Sequence, residues 1–467
     1  MTQTKKKRKL NGDSGAKPHA AYFLSLTVEN VRCFGPAQTL DLSDGNGRPA
    51  RWTIILGDNG TGKTTLLQAL VAMLPRVVNK EGTDVYFIPE MPPATALFWG
   101  WQRVASGSSK VNSYLIDLDE VFCKSEAEFW SGINLLQGES GLTSHYLYDL
   151  DGVSRQCSLI QKGKLGSLVS FSYGASRRMG KTALSEKVEQ DIHASLFDDN
   201  VSLLNAEEWL LEIDYTARIP SEIQQKAKVR RELVRTILID LLPDVTDVRI
   251  ALLSNEQPKP RVEFKTLDGW IGIQGVSLGY KTLTAWMVDF ASRMFDAYPD
   301  SETPLAEPAV VLVDEIDLHL HPRWQRDLIS RLTELFPNTQ FIVTTHSPLV
   351  VQAAADANLV VLRREGDHVV IDNDVEAVRG WRADQILTSE LFDLPNARPP
   401  QFDEWLKERG ALLAKSKLTK KDRARLLELE VQIGSLPVAD NPLEDKAMDL
   451  IMRAAARLEK EASLTTP

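Results

Sequence analysis

The residues of this chain that are best suited to chemistry lie between positions 57 and 64, which read GDNGTGKT. They match the pattern G-x-x-x-x-G-K-[ST], in which glycines let the backbone curl and point consecutive N–H groups at an anion. The lysine of such a loop reaches the β- and γ-phosphates of a nucleotide, and the final hydroxyl binds Mg²⁺. An ordinary glycine-rich turn needs no Lys-Thr at its end. The predicted nucleotide-binding residues are Gly57, Asn59, Gly60, Gly62, Lys63, Thr64 and Thr65, and Thr64 is also a predicted metal ligand.

The segments on either side of this loop have the composition of the strand and the helix that must position it. Residues 52–56, WTIIL, form a short apolar run typical of a buried strand, and residues 65–74 are typical of a helix. A loop between them lies at a helix N-terminus, where the positive end of the helix dipole also favours an anion. The local sequence therefore supports the site from both sides.

A pair of acidic residues follows another apolar strand, predicted at residues 309–313. At the carboxyl edge of a parallel sheet, beside the phosphate-binding loop, Asp314 can hold Mg²⁺ through water and Glu315 can polarise an attacking water. The alternative is a strand that simply ends in two acids. We predict Asp314 as a metal ligand and Glu315 as a catalytic residue.

A Ser-x-Gly turn lies within residues 273–290, just before a long apolar helix. At that helix N-terminus Ser277 and Gly279 would present hydroxyl and backbone donors to a ligand. Alone this pattern is weak, and both residues are predicted nucleotide contacts only together with the other motifs.

Histidines follow the two later strands. Residues 340–348, QFIVTTHSP, predict a buried strand that ends near His346, a candidate γ-phosphate contact and catalytic residue, with a packed or capping histidine as the alternative. His319 and His321, in LHLHP, have no third metal ligand near them in the sequence, which favours a role in the loop next to Glu315.

Composition restricts the class of protein. The chain has 467 residues and a formal net charge of −10, which argues against a protein that coats nucleic acid by bulk charge. Cys33, Cys123 and Cys157 are widely spaced and form no CxxC, which predicts reduced thiols and no structural zinc. No apolar run of about 18 residues and no signal-peptide core are found, which predicts a cytoplasmic protein without a membrane partner.

Changes in composition and periodicity divide the sequence into five predicted regions. They are a disordered basic tail (1–20), the first part of a nucleotide-binding head (21–80), an insert with a helical lobe (81–245), the second part of the head (246–375) and a helical interaction region (376–467). The tail carries KKKRK, for which a localisation signal or a nucleic-acid arm are alternatives. In the last region, residues 423–433 and 442–458 read as amphipathic helices that either dock a partner or pack on the head.

The insert contains a stretch with helical periodicity at residues 200–242. Its predicted apolar face comprises Leu204, Trp209, Ile213, Ile223, Val229, Leu233, Ile237 and Leu241. Lys226, Arg230 and Arg231 fall mostly off that face, where a solvated helix surface and DNA contact are the two interpretations.

Two further pairs of side chains leave their role open. Trp99 and Trp101 are either base-stacking residues or buried anchors of the inserted lobe. Arg177 and Arg178, just after a strand predicted at 168–173, are equally consistent with a phosphate or partner sensor and with a surface pair bridging to carboxylates.

In this order, GDNGTGKT, the Ser-x-Gly turn, VVLVDEIDLHLHP and TTHSP resemble the motifs of ABC-type ATPase heads of the SMC, RecF and OLD group. The resemblance covers roughly residues 22–365. It implies an α/β fold, an ABC/SMC-type P-loop ATPase head with a mixed β-sheet, here with a helical insert lobe and a helical C-terminal arm. It implies ATP and Mg²⁺ as cofactors, Lys63 and Thr64 in Walker A, Asp314 and Glu315 as Walker B and catalytic base, and His346 as switch histidine.

The Ser-x-Gly turn resembles the LSGGQ signature of that group, with Ser277 and Gly279 as the matching residues. VSLGY departs from it in having Leu278 for the first glycine and Tyr280 for glutamine, which predicts slow hydrolysis. In this group two heads close face to face, and the signature turn of one completes the ATP site of the other. The resemblance thus implies a homodimer or a higher even-numbered oligomer that is inactive as a monomer.

Other stretches narrow the resemblance. The insert is too short and too irregular for the coiled coil of SMC proteins, and no Toprim entry strand of an OLD nuclease follows His346. SLGYKTLTAWMVDFA, DEIDLHLHPRWQ, FSYGASRR and VRGWRADQILTSELFDL resemble the PtuA ATPase subunits of Septu-type antiphage systems, including retron-associated Septu modules. That family implies a small HNH endonuclease partner, which the ATPase houses and restrains and which carries the nuclease activity.

The predicted function is therefore an ATPase subunit of a Septu-type defence complex, with DNA reached through the partner or through basic patches. The principal alternative is a RecF/SMC-like DNA-repair ATPase without a nuclease partner. A transporter motor and a nucleotide-gated scaffold without meaningful hydrolysis are two further candidate functions.

Overall fold

The structure, a computed structural model, describes residues 22–434 apart from 75, 81–82, 88–107, 118–119, 131–152, 160–168, 182–190, 252–259, 376–377, 379, 393, 395 and 416–417. The chain divides into two compact units, Met1–Phe392 and Asp393–Pro467. The predictions for the basic tail, Trp99, Trp101 and residues 442–458 lie outside the described residues. Of the helices described, none combines the length and the apolar character needed to cross a bilayer.

The elements are numbered along the chain. The strands are β1 (Tyr22–Glu29), β2 (Gln38–Asp41), β3 (Trp52–Gly57), β4 (Arg76–Lys80), β5 (Thr83–Phe87), β6 (Ser108–Asp117), β7 (Glu120–Trp130), β8 (Val153–Leu159), β9 (Ser170–Tyr173), β10 (Asp247–Ala251), β11 (Arg261–Thr266), β12 (Gly269–Gly272), β13 (Ala309–Val313), β14 (Thr339–Thr344), β15 (Asn358–Glu365) and β16 (His368–Asp372). The helices are α1 (Lys63–Ala72), α2 (Ala206–Arg218), α3 (Gln224–Leu241), α4 (Leu278–Ala297), α5 (Pro322–Leu335), α6 (Pro348–Ala353), α7 (Ala383–Leu387), α8 (Pro400–Leu413) and α9 (Lys420–Gly434).

A central sheet in the first unit carries the predicted site. Within the described chain its strand order is β16-β15-β3-β14-β13-β9, and all pairs are parallel except β15 with β16. β3 lies between β14 and β15, and β13 lies beside β14, so the carboxyl ends of β3, β13 and β14 meet at one edge of the sheet. The predicted α/β class, a P-loop head built on a mixed sheet, is confirmed.

Both faces of the central strands are buried, which explains why their sequences are continuous apolar runs. Because side chains alternate along a strand, Ile54 and Leu56 of β3 pack in one core with Trp286 and Phe290 of α4. Ile55 points to the other face and packs in a core that contains side chains of α1 and β1. Packing on both faces fixes the strand ends at which the predicted site residues lie.

An antiparallel sheet joins the N-terminal strands to the insert. Its order is β2-β1-β6-β7-β8, so three strands from the insert extend the sheet that β1 begins. The insert thus contributes strands as well as the helices α2 and α3. Two smaller antiparallel sheets are formed by β10-β11-β12 and by β4-β5.

The helical lobe of the insert is formed by α2 and α3. The Asn205 side chain caps α2 by accepting the backbone N–H of Glu208 at 3.3 Å. The predicted apolar face of this stretch is partly wrong, because Ile223 and Val229 are 58% and 44% exposed whereas Val234 is buried. Helix α2 ends at Arg218 and α3 begins at Gln224. An apolar periodicity that assumes one continuous helix through residues 200–242 therefore assigns the wrong residues to the buried face at the start of α3.

The second unit contains α8 and α9, and α9 includes the amphipathic helix predicted at 423–433. The guanidinium of Arg425 on α9 donates to both carboxylate oxygens of Glu408 on α8, at 2.9 and 2.8 Å. Leu412 and Leu429 are buried, whereas Leu427 is 64% exposed. Each of the two helices therefore buries one leucine and leaves another leucine exposed to solvent.

Candidate nucleotide-binding site

The phosphate-binding loop has the backbone that its glycines predict. Gly57 ends β3 and Gly62 precedes α1, with φ angles of 142° and 93° that side chains rarely adopt. A Cβ on Gly62 would lie 2.5 Å from Cys33 Sγ and 2.8 Å from Phe34 Cε2, and one on Gly57 would lie 2.7 Å from the Leu362 carbonyl oxygen. Backbone conformation and space both require glycine at these positions.

Lys63 lies inside the loop and is only 7% exposed. Its ammonium donates hydrogen bonds to the carbonyl oxygens of Gly57 and Asp58, at 2.7 and 2.9 Å. Burial lowers the pKa of Lys63, and the nearby carboxylates of Asp314 and Glu315 oppose that shift. The loop thus holds a cation where a phosphate group would compensate its charge.

Hydrogen bonds join the loop to the ends of β13 and β14. The Thr64 hydroxyl donates to Asp314 Oδ2 at 2.7 Å, and the Thr344 hydroxyl donates to Asp314 Oδ1 at 2.6 Å. Asp314 is 7% exposed and accepts a hydrogen bond on each carboxylate oxygen. The two residues predicted as metal ligands are therefore side by side, and they offer the hydroxyl and carboxylate oxygens that Mg²⁺ prefers.

Glu315 has a backbone φ of 47°, a conformation that costs a non-glycine residue about 1–2 kcal/mol. Its N–H donates to Thr344 Oγ1 at 2.7 Å, and its carbonyl oxygen accepts from Arg177 Nη2 at 2.7 Å. Arg177 is 2% exposed, and its Nη1 donates to the Asp314 carbonyl oxygen at 2.5 Å. Burial lowers the pKa of Arg177 to about 10, against the effect of Asp314, Asp317 and Glu315, so it is charged at neutral pH.

The site residues line one cavity of about 320 Å³, within the usual range of ligand pockets, about 300–1,000 Å³. The predicted residues in its lining are Asn59, Gly60, Gly62, Lys63, Thr64, Thr65, Asp314 and Glu315. Arg32 and Cys33 also line it, and the sequence analysis missed them. Arg32 Nη1 donates to Thr65 Oγ1 at 3.0 Å, and Cys33 Sγ donates to the Thr61 carbonyl oxygen at 3.4 Å. No local pattern links these two residues to a loop that begins at Gly57, 24 positions after Cys33.

The groups in this cavity fit a nucleotide with Mg²⁺. The left-handed backbone at Gly60, with φ 78°, the buried Lys63 and the N-terminus of α1 suit phosphate oxygens. Thr64 and Asp314 supply two oxygen ligands, and Mg²⁺ usually takes its other ligands from water and phosphate. Glu315, in the same lining, is available to act on a water molecule.

The predicted signature residues lie at the start of α4 and, in the described chain, outside the lining of this cavity. Ser277 is the exposed N-cap residue, and Leu278 is 57% exposed. Gly279 is buried, and a Cβ there would lie 2.5 Å from the carbonyl oxygen of His319. Close contact with the loop after β13 therefore requires this glycine, which the sequence did not predict.

His346 follows β14, is exposed and is outside the lining of the cavity as described. Beside it, the Thr345 hydroxyl donates to Asp317 Oδ1 at 2.5 Å, and the Ser347 hydroxyl donates to Gln325 Oε1 at 2.7 Å. These bonds join the loop after β14 to the loop after β13 and to α5. The role of His346 as a γ-phosphate contact stays a prediction.

The loop role predicted for the other two histidines is confirmed. His321 is the N-cap residue of α5, and its Nδ1 accepts the backbone N–H of Arg323 at 3.2 Å. His319 is exposed and has a φ of 67°.

Three of the basic side chains considered for ligand contact, those of Arg177, Arg230 and Arg231, make internal contacts. The interpretation of Arg177 as part of a surface pair is wrong, because its guanidinium is buried against backbone carbonyls. Arg230 Nη2 donates to the Phe295 carbonyl oxygen at 2.8 Å, and Arg231 pairs with Asp214 at 3.0 Å. These contacts favour a structural role for Arg230 and Arg231 over DNA contact.

Family models match both halves of the site. A model described as "AAA domain, putative AbiEii toxin, Type IV TA system" matches residues 204–352, and one described as "AAA domain" matches residues 25–84. The first range includes the acidic pair after β13, and the second includes the phosphate-binding loop.

Curated proteins extend these matches. The chain is 24% identical over 367 residues to the Septu protein PtuA of Bacillus mycoides (strain KBAB4), covering 77% of this chain and 43% of that protein. It is 45% identical over 140 residues to the retron Vc95 probable ATPase of Vibrio cholerae serotype O1 biovar El Tor, covering 30% of this chain and 25% of that protein. Over these segments the chain is similar to PtuA and to a retron probable ATPase, and AAA domain models match both parts of its site. The resemblance predicted from the motifs is confirmed.

The matched segments cover less than half the length of these relatives. Among solved structures, an SMC head bound to the C-winged helix domain of ScpA matches 75% of this chain and 97% of its own, at 17% identity and a TM-score of 0.43.

Proposed function

We propose that this chain is the ATP-hydrolysing subunit of an antiphage defence complex. The observation that carries the proposal is that Lys63, Thr64, Asp314 and Glu315 line one cavity in a chain similar to a Septu protein. ATP binds there with Lys63 on the β- and γ-phosphates, Thr64 and Asp314 on Mg²⁺, and Glu315 as base toward the attacking water. Glu315 thus acts on the attacking water, and Lys63 acts on the phosphate groups whose linkage this water cleaves.

Two heads close on each other, forming a homodimer or a higher even-numbered oligomer. Ser277 and Gly279 of one head complete the ATP site of the other, and His346 contacts the γ-phosphate from its exposed position after β14. Support comes from Ser277, which is exposed at the N-terminus of a 20-residue helix and makes no side-chain capping bond to it. Hydrolysis is slow because Leu278, with 57% of its surface exposed, occupies the turn that approaches the phosphate.

A small HNH endonuclease bound to the ATPase carries the nuclease activity, and the nucleotide state of the heads regulates it in the cytoplasm. The similarity to a Septu protein supports a partner of this kind. The second unit supports it independently, because Leu413, Leu427 and Val431 are 52%, 64% and 65% exposed and offer apolar surface for a partner. DNA is reached through the nuclease.

The catalytic part is tested by ATP binding and turnover of the purified protein. We expect slow turnover by the wild type, loss of binding with Lys63→Ala, and retained binding with about 100-fold slower turnover for Glu315→Gln. Glu334→Gln, an exposed residue of α5, is the matched control and should behave as wild type. A wild-type protein that binds no ATP would contradict the proposal.

The biological part is tested by phage challenge and by the mass of the complex recovered from native cells with and without ATP-Mg²⁺. A small HNH protein on an even-numbered ATPase assembly is the expected result, and Lys63→Ala should abolish protection. A bare dimer bound to replication proteins would favour the DNA-repair alternative.

A further inference from the structure

We propose that Arg177 is a positioning residue for ATP hydrolysis, which holds the peptide carbonyls of Asp314 and Glu315 and thereby orients the carboxylate of Glu315. The inference rests on the proposed function, in which Glu315 is the base. Arg177 belongs to none of the phosphate-binding, acidic or signature motifs, and its position in the chain is far from all of them.

The contacts of the guanidinium carry the inference. Nη2 donates to the Glu315 carbonyl oxygen at 2.7 Å, and Nη1 donates to the Asp314 and Gly174 carbonyl oxygens at 2.5 and 3.3 Å. A guanidinium presents its N–H groups in a rigid planar fork, so one arginine fixes the spacing and direction of two successive carbonyls. A lysine ammonium, a point charge on a flexible stem, lacks that geometry.

The loop that carries Arg177 is itself held in place. Gly174 and Gly180 pack so closely on the backbone of Ser195 and Leu203 that neither has room for a Cβ. The Leu203 N–H donates to the Arg178 carbonyl oxygen at 2.8 Å, beside the arginine. The guanidinium carbon also lies 5.5 Å from the centroid of the Trp286 ring, an ordinary cation–π distance. The guanidinium of Arg177 therefore extends from a loop whose backbone is held in place.

Glu315 is held on its other side as well. Its N–H donates to Thr344 Oγ1 at 2.7 Å, so the peptide groups before and after it are both bonded. Its φ of 47° is sparsely populated for a glutamate and persists only where the surroundings determine it. Arg177 and Thr344 are those surroundings.

The position of Arg177 separates this role from direct phosphate contact. Glu315 is part of the lining of the nucleotide cavity, and among the described residues Arg177 is not. With 2% exposure and its N–H groups on backbone carbonyls, the guanidinium acts on the ligand only through Glu315 and Asp314. Loss of this group should change turnover far more than nucleotide affinity.

The test compares Arg177→Lys and Arg177→Gln with the wild type, measuring ATP affinity, KM and kcat in the full chain. We expect kcat to fall about 10- to 100-fold, as misplacement of a catalytic group by about 1 Å does, while ATP affinity changes less than about threefold. In a Glu315→Gln background, Arg177→Lys should cause a much smaller further loss, because the carboxylate of Glu315 is gone and only the bond to the Asp314 carbonyl oxygen is left to act on the site. Arg326→Lys, an exposed arginine of α5, is the matched control.

The outcomes distinguish this inference from the proposed function. If Glu315→Gln is inactive but Arg177→Lys keeps its kcat, the inference is overturned and the proposed function stands. If kcat and ATP affinity fall together, or if the two substitutions are additive, Arg177 is not acting through Glu315 and the inference fails. A wild type that binds ATP without turnover overturns both.

A variant on the other side of Glu315 covers the case in which substitutions of the buried arginine prevent folding. Thr344→Val conserves shape but removes the oxygen that accepts the Glu315 N–H and donates to Asp314 Oδ1, whereas Thr344→Ser keeps that oxygen; a Mg²⁺ titration of both variants separates the effect on Asp314 from the effect on Glu315. We expect a fall in kcat for valine that serine rescues. An unchanged kcat for Thr344→Val would overturn the inference that the Glu315 peptide must be held.

Discussion

Substitution of Gly62 by alanine is the sharpest test of the geometry of the phosphate-binding loop. The new Cβ would lie 2.5 Å from Cys33 Sγ and 2.8 and 2.9 Å from two ring carbons of Phe34. Phe34 is fully buried, so its ring cannot swing aside into solvent. The backbone φ of 93° adds a second penalty for any residue with a side chain.

The size of the effect follows from these two terms. A left-handed backbone costs a non-glycine residue about 1–2 kcal/mol, and a misfit in a packed region costs about 1–3 kcal/mol. The protein relieves both by moving the loop, and ATP binding must then restore it. A total of about 2–5 kcal/mol corresponds to a loss of ATP affinity of roughly 30-fold to a few thousandfold.

The assay is equilibrium binding of ATP-Mg²⁺, with thermal unfolding of the nucleotide-free protein as a check on folding. Gly60→Ala is the matched control within the loop, since its φ is 78° but a Cβ there meets nothing within 4 Å. Gly45→Ala has a φ of 80°, an equally open surrounding and a position outside the site, so it should leave affinity unchanged. Adding Cys33→Ala to Gly62→Ala removes the nearest contact and should recover part of the loss. Equal affinities for Gly62→Ala and Gly60→Ala would refute the reasoning.

Two other predictions concern Thr64, which contacts the acidic pair after β13, and Tyr173 of β9. Thr64→Val removes the hydroxyl that lies 2.7 Å from Asp314 Oδ2, so the Mg²⁺ concentration needed for half-maximal turnover should rise about tenfold or more; a Mg²⁺ titration that is unchanged would argue against Thr64 as a ligand. Burial, and then Asp289, raises the pKa of the Tyr173 hydroxyl well above its ordinary value. The pKa of Tyr173 is higher in the folded than in the unfolded protein, so the neutral hydroxyl contributes to the free energy of unfolding. That contribution is complete below about pH 10 and is lost as the pH rises above it. Tyr173→Phe should therefore flatten the fall in unfolding free energy between about pH 9 and 11, and an unaltered fall would show that another group causes it.

The parts of the site that local sequence predicted are those in which a strand, a turn and a functional residue are adjacent in the chain. The run at 52–56 became β3 and the run at 309–313 became β13, each with its functional residues directly after it. The glycines at 57, 60 and 62 predicted a curled loop, and all three have a positive φ in the structure. These features depend on the conformational preferences of neighbouring residues, which can be predicted from the local sequence.

The parts that local sequence missed depend on pairing between distant segments. Arg177 became buried because β9 pairs with β13, which places it under a peptide 138 positions away. Arg32 and Cys33 reached the cavity because β1 packs with α1 over the sheet. Ile223 and Val229 were predicted to be buried, but α3 is a separate helix from α2 and leaves both side chains exposed. The periodicity of a local segment does not predict which distant segments will pack against it.

The position of β3 between β14 and β15 has a consequence for how this protein is made. Both neighbours of β3 are encoded roughly 280 residues or more after it, and the bond from the Phe23 N–H to Gln340 Oε1 spans 317 positions. At a synthesis rate of about 5–20 residues per second, the apolar strand before the phosphate-binding loop waits roughly 15–60 seconds on the ribosome without a partner on either side. The nascent chain must keep this strand from aggregating before its sheet exists. The first motif of the site to be translated is thus among the last to be assembled, and translation products that end before β15 should be unable to bind ATP.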